Sequence, residues 1–203
     1  MINRQFFFSR VRSQLFTGKL SQSQVLGLSA ILDGWEADHA AKDDRWLAYM
    51  LATSFHETGF TMQPIHERGG TGYFFNRYDL HGQHPDIAKM LGNTVPGDGV
   101  LFHGRGYVQL TGRRNYAAMG QAFGRDLISS AAAADAALEP DLAAKIMFRG
   151  MELGVFTGRK LADYFNGPTA QWTTARRIIN SLDCAGKIAL YGQEFYGAIS
   201  YTT

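Results

Sequence analysis

The chain has 203 residues, 45% of them hydrophobic and 13% aromatic, which is enough apolar material for one globular domain, 1–203, and too much for a disordered one. A net charge of +2 gives no argument for nucleic acid as a partner, although it would not repel an anionic polymer. The single cysteine, Cys184, excludes an intrachain disulfide and argues against a cysteine-based metal site.

From the N-terminus, Phe6-Phe7-Phe8 is followed by Arg10, Arg12 and Lys19, so Met1 to Leu20 has neither a signal-peptide core nor a membrane span. Synthesis in the cytoplasm without a signal peptide, and no stable membrane insertion, are the expectations. Gln5 to Leu15 predicts a first helix with Phe8, Val11 and Leu15 on one side. Ser21 with Gln24 three places on reads as a capping box, opening a second helix whose buried stripe is Val25, Leu28, Ile31 and Leu32 and which ends near Gly34. The basic residues of a DNA-reading helix-turn-helix are missing.

The stretch from Arg45 to Glu67 holds the first candidate chemistry. Trp46, Leu47, Met50, Leu51 and Phe55 recur three or four apart, Asp43 and Asp44 stand at the front, and Gly59 stands at the back as a stop. Glu57 therefore falls in the last turn of a helix, where the dipole disfavours a carboxylate by roughly 0.3 to 1 kcal/mol. If burial supplies the remainder, Glu57 can serve as a proton donor. The alternative is an ordinary solvated Glu at a helix end.

Between Pro64 and Gly99 glycines and prolines interrupt any long period, so the stretch reads as loop with short elements inside it. It concentrates His66, Glu67, Tyr73, Phe74, Phe75, Arg77, Tyr78 and Asp79, a mixture of aromatic and polar groups that suits sugar rings. Those aromatics could equally plug back into the core. Val100 to Thr111 reads as extended, bent at His103-Gly104-Arg105-Gly106, with Tyr107-Val108-Gln109-Leu110 as its best strand and Thr111 capping the next helix. Gly104-Arg105-Gly106 is too short for a dinucleotide fingerprint.

Ser129 to Ala137 is helical or a connector with no visible chemistry, and Pro140 starts a long helix through Leu153. Tyr164 to Pro168 is a turn, Ala175 to Asn180 follows, and Ile188, Tyr191, Phe195 and Ile199 share a face of a terminal helix. The sum is a mainly α, two-lobed helical domain with a small β element and a central substrate cleft.

Four stretches in order, Phe55-His56-Glu57-Thr58-Gly59, Gly104-Arg105-Gly106-Tyr107-Val108-Gln109-Leu110-Thr111, Asn115-Tyr116 and Arg177-Ile178-Ile179-Asn180, resemble the signatures of glycoside hydrolase family 19. The resemblance spans about Trp46 to Cys184 and is strongest to the bacteriophage endolysin branch, through the Arg105 to Arg113 run and Thr61 to Ile65. It implies a lysozyme-like fold, a general acid at Glu57, a water-positioning hydroxyl at Thr111 and sugar contacts from Gln109, Asn115 and Asn180, with Tyr107 and His56 beside them. It also implies a monomer without metal or cofactor that acts on bacterial peptidoglycan as a muramidase-like endolysin. Release to the cell wall would be holin-dependent. The chain departs from the chitinase pattern at Tyr107, at Thr111 and at Ser181-Leu182, which weakens any carry-over of chitin specificity, and a chitinase is the alternative.

The chemistry independently needs such a set. Inverting hydrolysis takes one protonated carboxyl and one ionised carboxylate on opposite faces of the sugar, roughly 6.5 to 9.5 Å apart. Glu67, ten residues beyond Glu57 and just after Pro64, is the expected base; Asp79, 22 residues beyond, competes, though Arg77 nearby could make it structural. Neither His56-Glu57 nor His66-Glu67 continues to a His at the spacing of a zincin helix, which argues against a metallopeptidase or amidase. A noncatalytic cell-wall glycan-binding module would need no paired acids.

Overall fold

The computed structural model describes residues 1–202 and is mainly helical, with two small two-stranded sheets among the described residues. The backbone separates into two compact units, Met1–Gln63 with the chain from Met147 onward, and Pro64–Ile146.

In the first unit α1 (Arg4–Gln14) starts at Asn3, whose side chain accepts from the Phe6 amide. Its buried residues are Phe7 and Val11, not the expected stripe of Phe8, Val11 and Leu15. Phe7 stacks on Phe195 with ring centroids 6.3 Å apart, which turns the helix by one position. α2 (Gln22–Asp38) opens with the expected capping box, Ser21 and Gln24 each accepting the other's amide. It runs beyond Gly34 because Trp35 is buried and prolongs the apolar stripe, while Gly34 lies where a Cβ would stand 3.1 Å from the Phe148 ring.

α3 (Asp44–Glu57) is capped by Asp43 and buried at every residue from Leu47 to Phe55. It is thus the central element of this unit, buried on all sides over that stretch, where a single buried face was expected. Its end is sharp. The Thr58 hydroxyl donates to the Ser54 carbonyl, and Gly59 and Phe60 both take positive φ, leaving Glu57 as the last helical residue.

In the second unit β1 (Ile65–His66) leads into the stretch that lacks sequence periodicity, which folds into three short helices, α4 (Thr71–Tyr78), α5 (Pro85–Leu91) and α6 (Asp98–Leu101). Three of the glycines that break the period stand at helix ends: Gly70 precedes α4, Gly92 closes α5 and Gly97 precedes α6. β2 (Arg105–Gly106) pairs antiparallel with β1, Ile65 opposite Gly106 and His66 opposite Arg105. The strand expected over Tyr107–Leu110 does not form. Gly106 (φ 90°) and Gln109 (φ 56°) fold the segment into a tight loop, closed by paired backbone bonds between Arg105 and Leu110. α7 (Arg113–Phe123) is capped by Gly112 at φ 89°, not by Thr111, whose hydroxyl donates instead to the Gln109 carbonyl at 2.8 Å. α8 (Ala131–Asp135) is capped by Ser130.

α9 (Pro140–Leu153) begins on Pro140, as expected, and carries the chain back to the first unit. There β3 (Phe165–Asn166) and β4 (Thr169–Ala170) form a hairpin across Gly167-Pro168, and a 3₁₀ turn covers Thr174–Ile178. The last helix, α10 (Ala185–Ala198), buries Ile188 and Phe195 against α3; Ile199 lies just beyond it as the C-cap and so does not share its face.

Candidate active site

Glu57 stands where α3 stops, its side chain 18% exposed. Oε1 accepts from Nη1 of Arg176 at 2.5 Å, a charge-assisted bond, and Oε2 has no hydrogen-bond partner among the described residues. Arg176 is itself 3% exposed, and its Nε donates to the Asp183 carbonyl at 3.1 Å. Its backbone carbonyl accepts from the Asn180 amide at 3.0 Å. One buried arginine thus ties the end of α3 to the turn that carries Asn180. Arg176 was not among the residues expected from sequence, where Arg177 carried the motif; Arg177 is exposed and Arg176 is buried. The available signal was an arginine on the buried side of a short apolar run, Ala175 to Ile178. In the same unit His56 is half-buried, and Asn180 is exposed with its Oδ1 accepting from the Ser181 amide.

Glu67 belongs to the second unit and is held at both oxygens. Tyr78 donates from its hydroxyl to Oε1 at 2.8 Å, and the Gly104 amide donates to Oε2 at 3.1 Å. The Glu67 amide in turn donates to the Gly104 carbonyl at 2.8 Å, continuing the β1–β2 ladder by one residue. Arg77 donates to the Tyr78 hydroxyl at 3.1 Å, so a chain of donors runs from Arg77 through Tyr78 to Glu67. Burial, with the Glu67 charge beside it, pushes the Tyr78 phenol well up and keeps its proton on the donating side. Tyr78 and Gly104 were not assigned from sequence; Tyr78 becomes legible as a partner only because α4 is a helix that brings it back over β1.

Asp79, the competing acid, is fully buried. Oδ1 accepts from the His81 amide at 3.2 Å and Oδ2 from the Gly97 and Gly99 amides at 2.8 and 3.2 Å. It pins the turn before α6 and offers no oxygen to solvent. The structural role expected for it therefore holds, but through three backbone amides and not through Arg77.

Near Glu67 the loop after β2 places Gln109, and Thr111 follows at the end of that loop. The Gln109 amide nitrogen donates to the carbonyls of Ile65 and Gly106 at 3.3 and 3.2 Å, across both strands. A Cβ on Gly104 would stand 2.8 Å from Gln109 Oε1 and 3.1 Å from Glu67 Oε2, so the absence of a side chain there lets the two groups share one spot. The positive φ of Gln109 is uncommon outside glycine and concentrates at functional sites. Thr111 is half-buried; Asn115 is 5% exposed and gives its Nδ2 to the Thr111 carbonyl at 2.9 Å. Tyr107 is fully buried, so its ring is core and cannot stack on a sugar, which corrects the contact expected for it. Of the α4 aromatics, Phe74 packs inward while Tyr73 and Phe75 are exposed, a division between the two roles weighed for them.

The sequence profile of the family described as chitinase class I matches residues 29–148, more than half of the chain. Chitinase C from Streptomyces griseus HUT6037 is similar in structure, with a TM-score of 0.58 at 18% identity over 97% of this chain and 75% of that chain. A mutant of chitinase C gives 0.57 at 18% identity with the same coverage. At such identity the likeness is one of fold, and that fold is mainly helical with small sheets, as here. No curated protein sequence gives a match. Glu57, Glu67, Gln109, Thr111 and Asn115 lie inside the matched span, and Arg176 and Asn180 lie beyond it. The extent of that match, together with the shared fold, makes the chain a member of glycoside hydrolase family 19.

Proposed function

We propose that the protein is an endolysin-type glycoside hydrolase that cleaves the β-1,4 bonds between the amino sugars of bacterial peptidoglycan with inversion. The observation that carries this reading is the unlike setting of two carboxyls. Glu57 has one oxygen on a guanidinium and one without a protein partner, while Glu67 accepts at both oxygens from neutral donors. A general acid needs an oxygen free to carry a proton to the leaving group, and a general base needs a fixed acceptor.

In the proposed reaction Oε2 of Glu57 gives its proton to the glycosidic oxygen as the bond to the anomeric carbon breaks. Glu67 takes a proton from a water whose oxygen bonds that carbon from the opposite face, with the Thr111 hydroxyl as a second partner of the water. The leaving sugar gains a hydrogen, the other a hydroxyl of inverted configuration, and the two carboxyls exchange protonation states, which solvent resets. His56, Asn180, Gln109 and Asn115 are the proposed polar contacts to sugar, and release to the wall is proposed to need a holin-like partner. A noncatalytic glycan-binding module would have no use for a base held at both oxygens.

Support for peptidoglycan comes from the endolysin-like run from Arg105 to Arg113 and the departures at Tyr107 and Thr111. A chitinase is the second reading, favoured by the description of the matching family and by the name of the similar structure. The test is to digest purified peptidoglycan and chitin in parallel and identify the reducing-end sugar. New amino-sugar reducing ends from peptidoglycan at a higher rate than from chitin support the endolysin reading. Free amines without reducing sugar would overturn the glycosidase, and faster chitin turnover would favour the chitinase.

A further inference from the structure

The second unit also carries an imidazole pair for which the proposed chemistry has no use. His66 immediately precedes Glu67 on β1, and His103 immediately precedes Gly104, whose amide holds Glu67 Oε2. Nδ1 of His66 and Nε2 of His103 are 3.0 Å apart, and His103 stacks on Phe74 at 4.3 Å with the rings 8° from parallel.

The protons in this pair can be assigned from their partners. His103 Nδ1 lies 2.7 Å from the Val100 carbonyl, which can only accept, so that nitrogen carries a proton. A neutral His103 then presents a lone pair at Nε2, and His66 must donate to it from Nδ1. His66 Nε2 faces Asp135 Oδ1 at 4.0 Å, away from the bond between the rings. A proton added to neutral His103 has to go to Nε2, where it opposes the His66 N–H and breaks the bond. Burial, above all, holds His103 below the ordinary histidine range; Arg105 and His66 act in the same direction, and the Val100 carbonyl and Glu67 act against it. The charged groups facing the pair are Asp135 on α8, Arg105 on β2 and Glu67 at the end of β1. Arg105 Nε already bonds Asp135 at 2.7 Å, so that carboxylate is shared.

We propose that His66 and His103 are positioning residues for Glu67, a clamp that ties the residue before the base to the residue before Gly104 and so keeps the Gly104 amide on the carboxylate. This rests on Glu67 being the base. The clamp is closed while His103 is neutral and opens when His103 takes a proton, at a lower pH than an ordinary histidine would. It therefore contributes to the acid limb of the activity profile.

Two pairs of variants test it. His66→Asn keeps a donor near Nδ1, and His103→Gln keeps an acceptor near Nε2 that cannot titrate; both should retain kcat within about threefold of wild type at pH 7. His66→Ala and His103→Phe remove the bond and should lower kcat roughly 10- to 100-fold with KM nearly unchanged, the scale of a misplaced catalytic group. In His103→Gln the acid limb of kcat should move to lower pH. Independently of activity, nitrogen NMR of the imidazoles at pH 7 should find both rings protonated at Nδ1. Wild-type kcat in His66→Ala, or an acid limb unmoved in His103→Gln, would overturn the positioning role. A Glu67→Gln enzyme of normal activity would remove the base and the positioning role together, whereas Nε2-protonated rings beside an inactive Glu67→Gln enzyme would remove the clamp alone.

Discussion

Nη1 of Arg176 and Oε1 of Glu57 stand 2.5 Å apart, joining a 3₁₀ turn to the last residue of a helix that is buried from Leu47 to Phe55. The contact fixes the carboxyl by one oxygen and leaves the other without a hydrogen-bond partner among the described residues. Glu57→Gln preserves an acceptor for the arginine but has no proton to give, so glycan hydrolysis should fall at least about 100-fold while folding survives. Near-normal hydrolysis by a folded Glu57→Gln protein would sink the acid assignment.

Removing the other partner should behave differently. Arg176→Gln loses a bond to a charged group, worth about 1.5 to 3 kcal/mol. At roughly 2 to 4 °C per kcal/mol for a chain of this size, Tm should fall by about 3 to 12 °C, with activity reduced as well. Arg176→Lys keeps the charge but not the planar fork and should recover stability only in part. Calorimetry of the two variants, with glycan hydrolysis measured below their transitions, separates the effects; an unchanged Tm in Arg176→Gln would show the pair to be energetically idle.

The two acids of the second unit should separate in the opposite sense. Glu67→Gln should fold normally and lose about 100-fold or more of activity. Asp79→Asn keeps one acceptor oxygen but sets an NH2 donor against the backbone amides that the other oxygen served, at a cost of about 1 to 3 kcal/mol, and should lower Tm while its folded fraction stays active. An inactive but stable Asp79→Asn protein beside an active Glu67→Gln would reverse the assignment. A first product of retained configuration would end the inverting scheme altogether.

Gly104→Ala is a sharper probe of the same place. The added methyl would meet the far ends of Gln109 and Glu67, which can swing away, and the Glu67 Cβ at 3.2 Å, which must give by a few tenths of an ångström, so stability should fall only modestly. The swing takes Glu67 off the Gly104 amide, and activity should drop roughly tenfold or more. Equal activity of Gly104→Ala and wild type would mean that this amide contact is dispensable.

Acid stability should depend on Asp98. Burial acts to raise its carboxyl, but the Arg113 side chain and the Val95 and Thr94 amides outweigh it and hold the group below the usual range. A carboxyl depressed on folding contributes stability above its unfolded value, about 3.9, and loses that contribution as pH falls through the folded value. Asp98→Asn should therefore lie below wild type in Tm at pH 7, and the gap should narrow as pH falls below about 4. A gap that stays constant down to pH 2 would rule the mechanism out.

The sequence by itself determined the elements whose signals are local. The Ser21–Gln24 capping box, the Asp43 start of α3, the Pro140 start of α9 and the placement of Glu57 at a helix end follow from propensity, capping and period, which neighbours in the chain decide. Four ordered motifs were enough to point to the family. Tertiary structure decided what depends on residues far apart. Trp35 carries α2 beyond Gly34 because it is buried, and two positive-φ residues turn the expected Tyr107–Leu110 strand into a loop. The same packing put Tyr107 in the core, chose Gly112 over Thr111 as the cap, and spent Asp79 on backbone amides. Arg176 reaches Glu57 across 119 residues, and Gly104 reaches Glu67 across 37. No periodicity encodes such pairs. Hydrogen bonds to a carboxylate are set by where the folded backbone delivers a donor, and that is fixed only when burial has closed the chain around it.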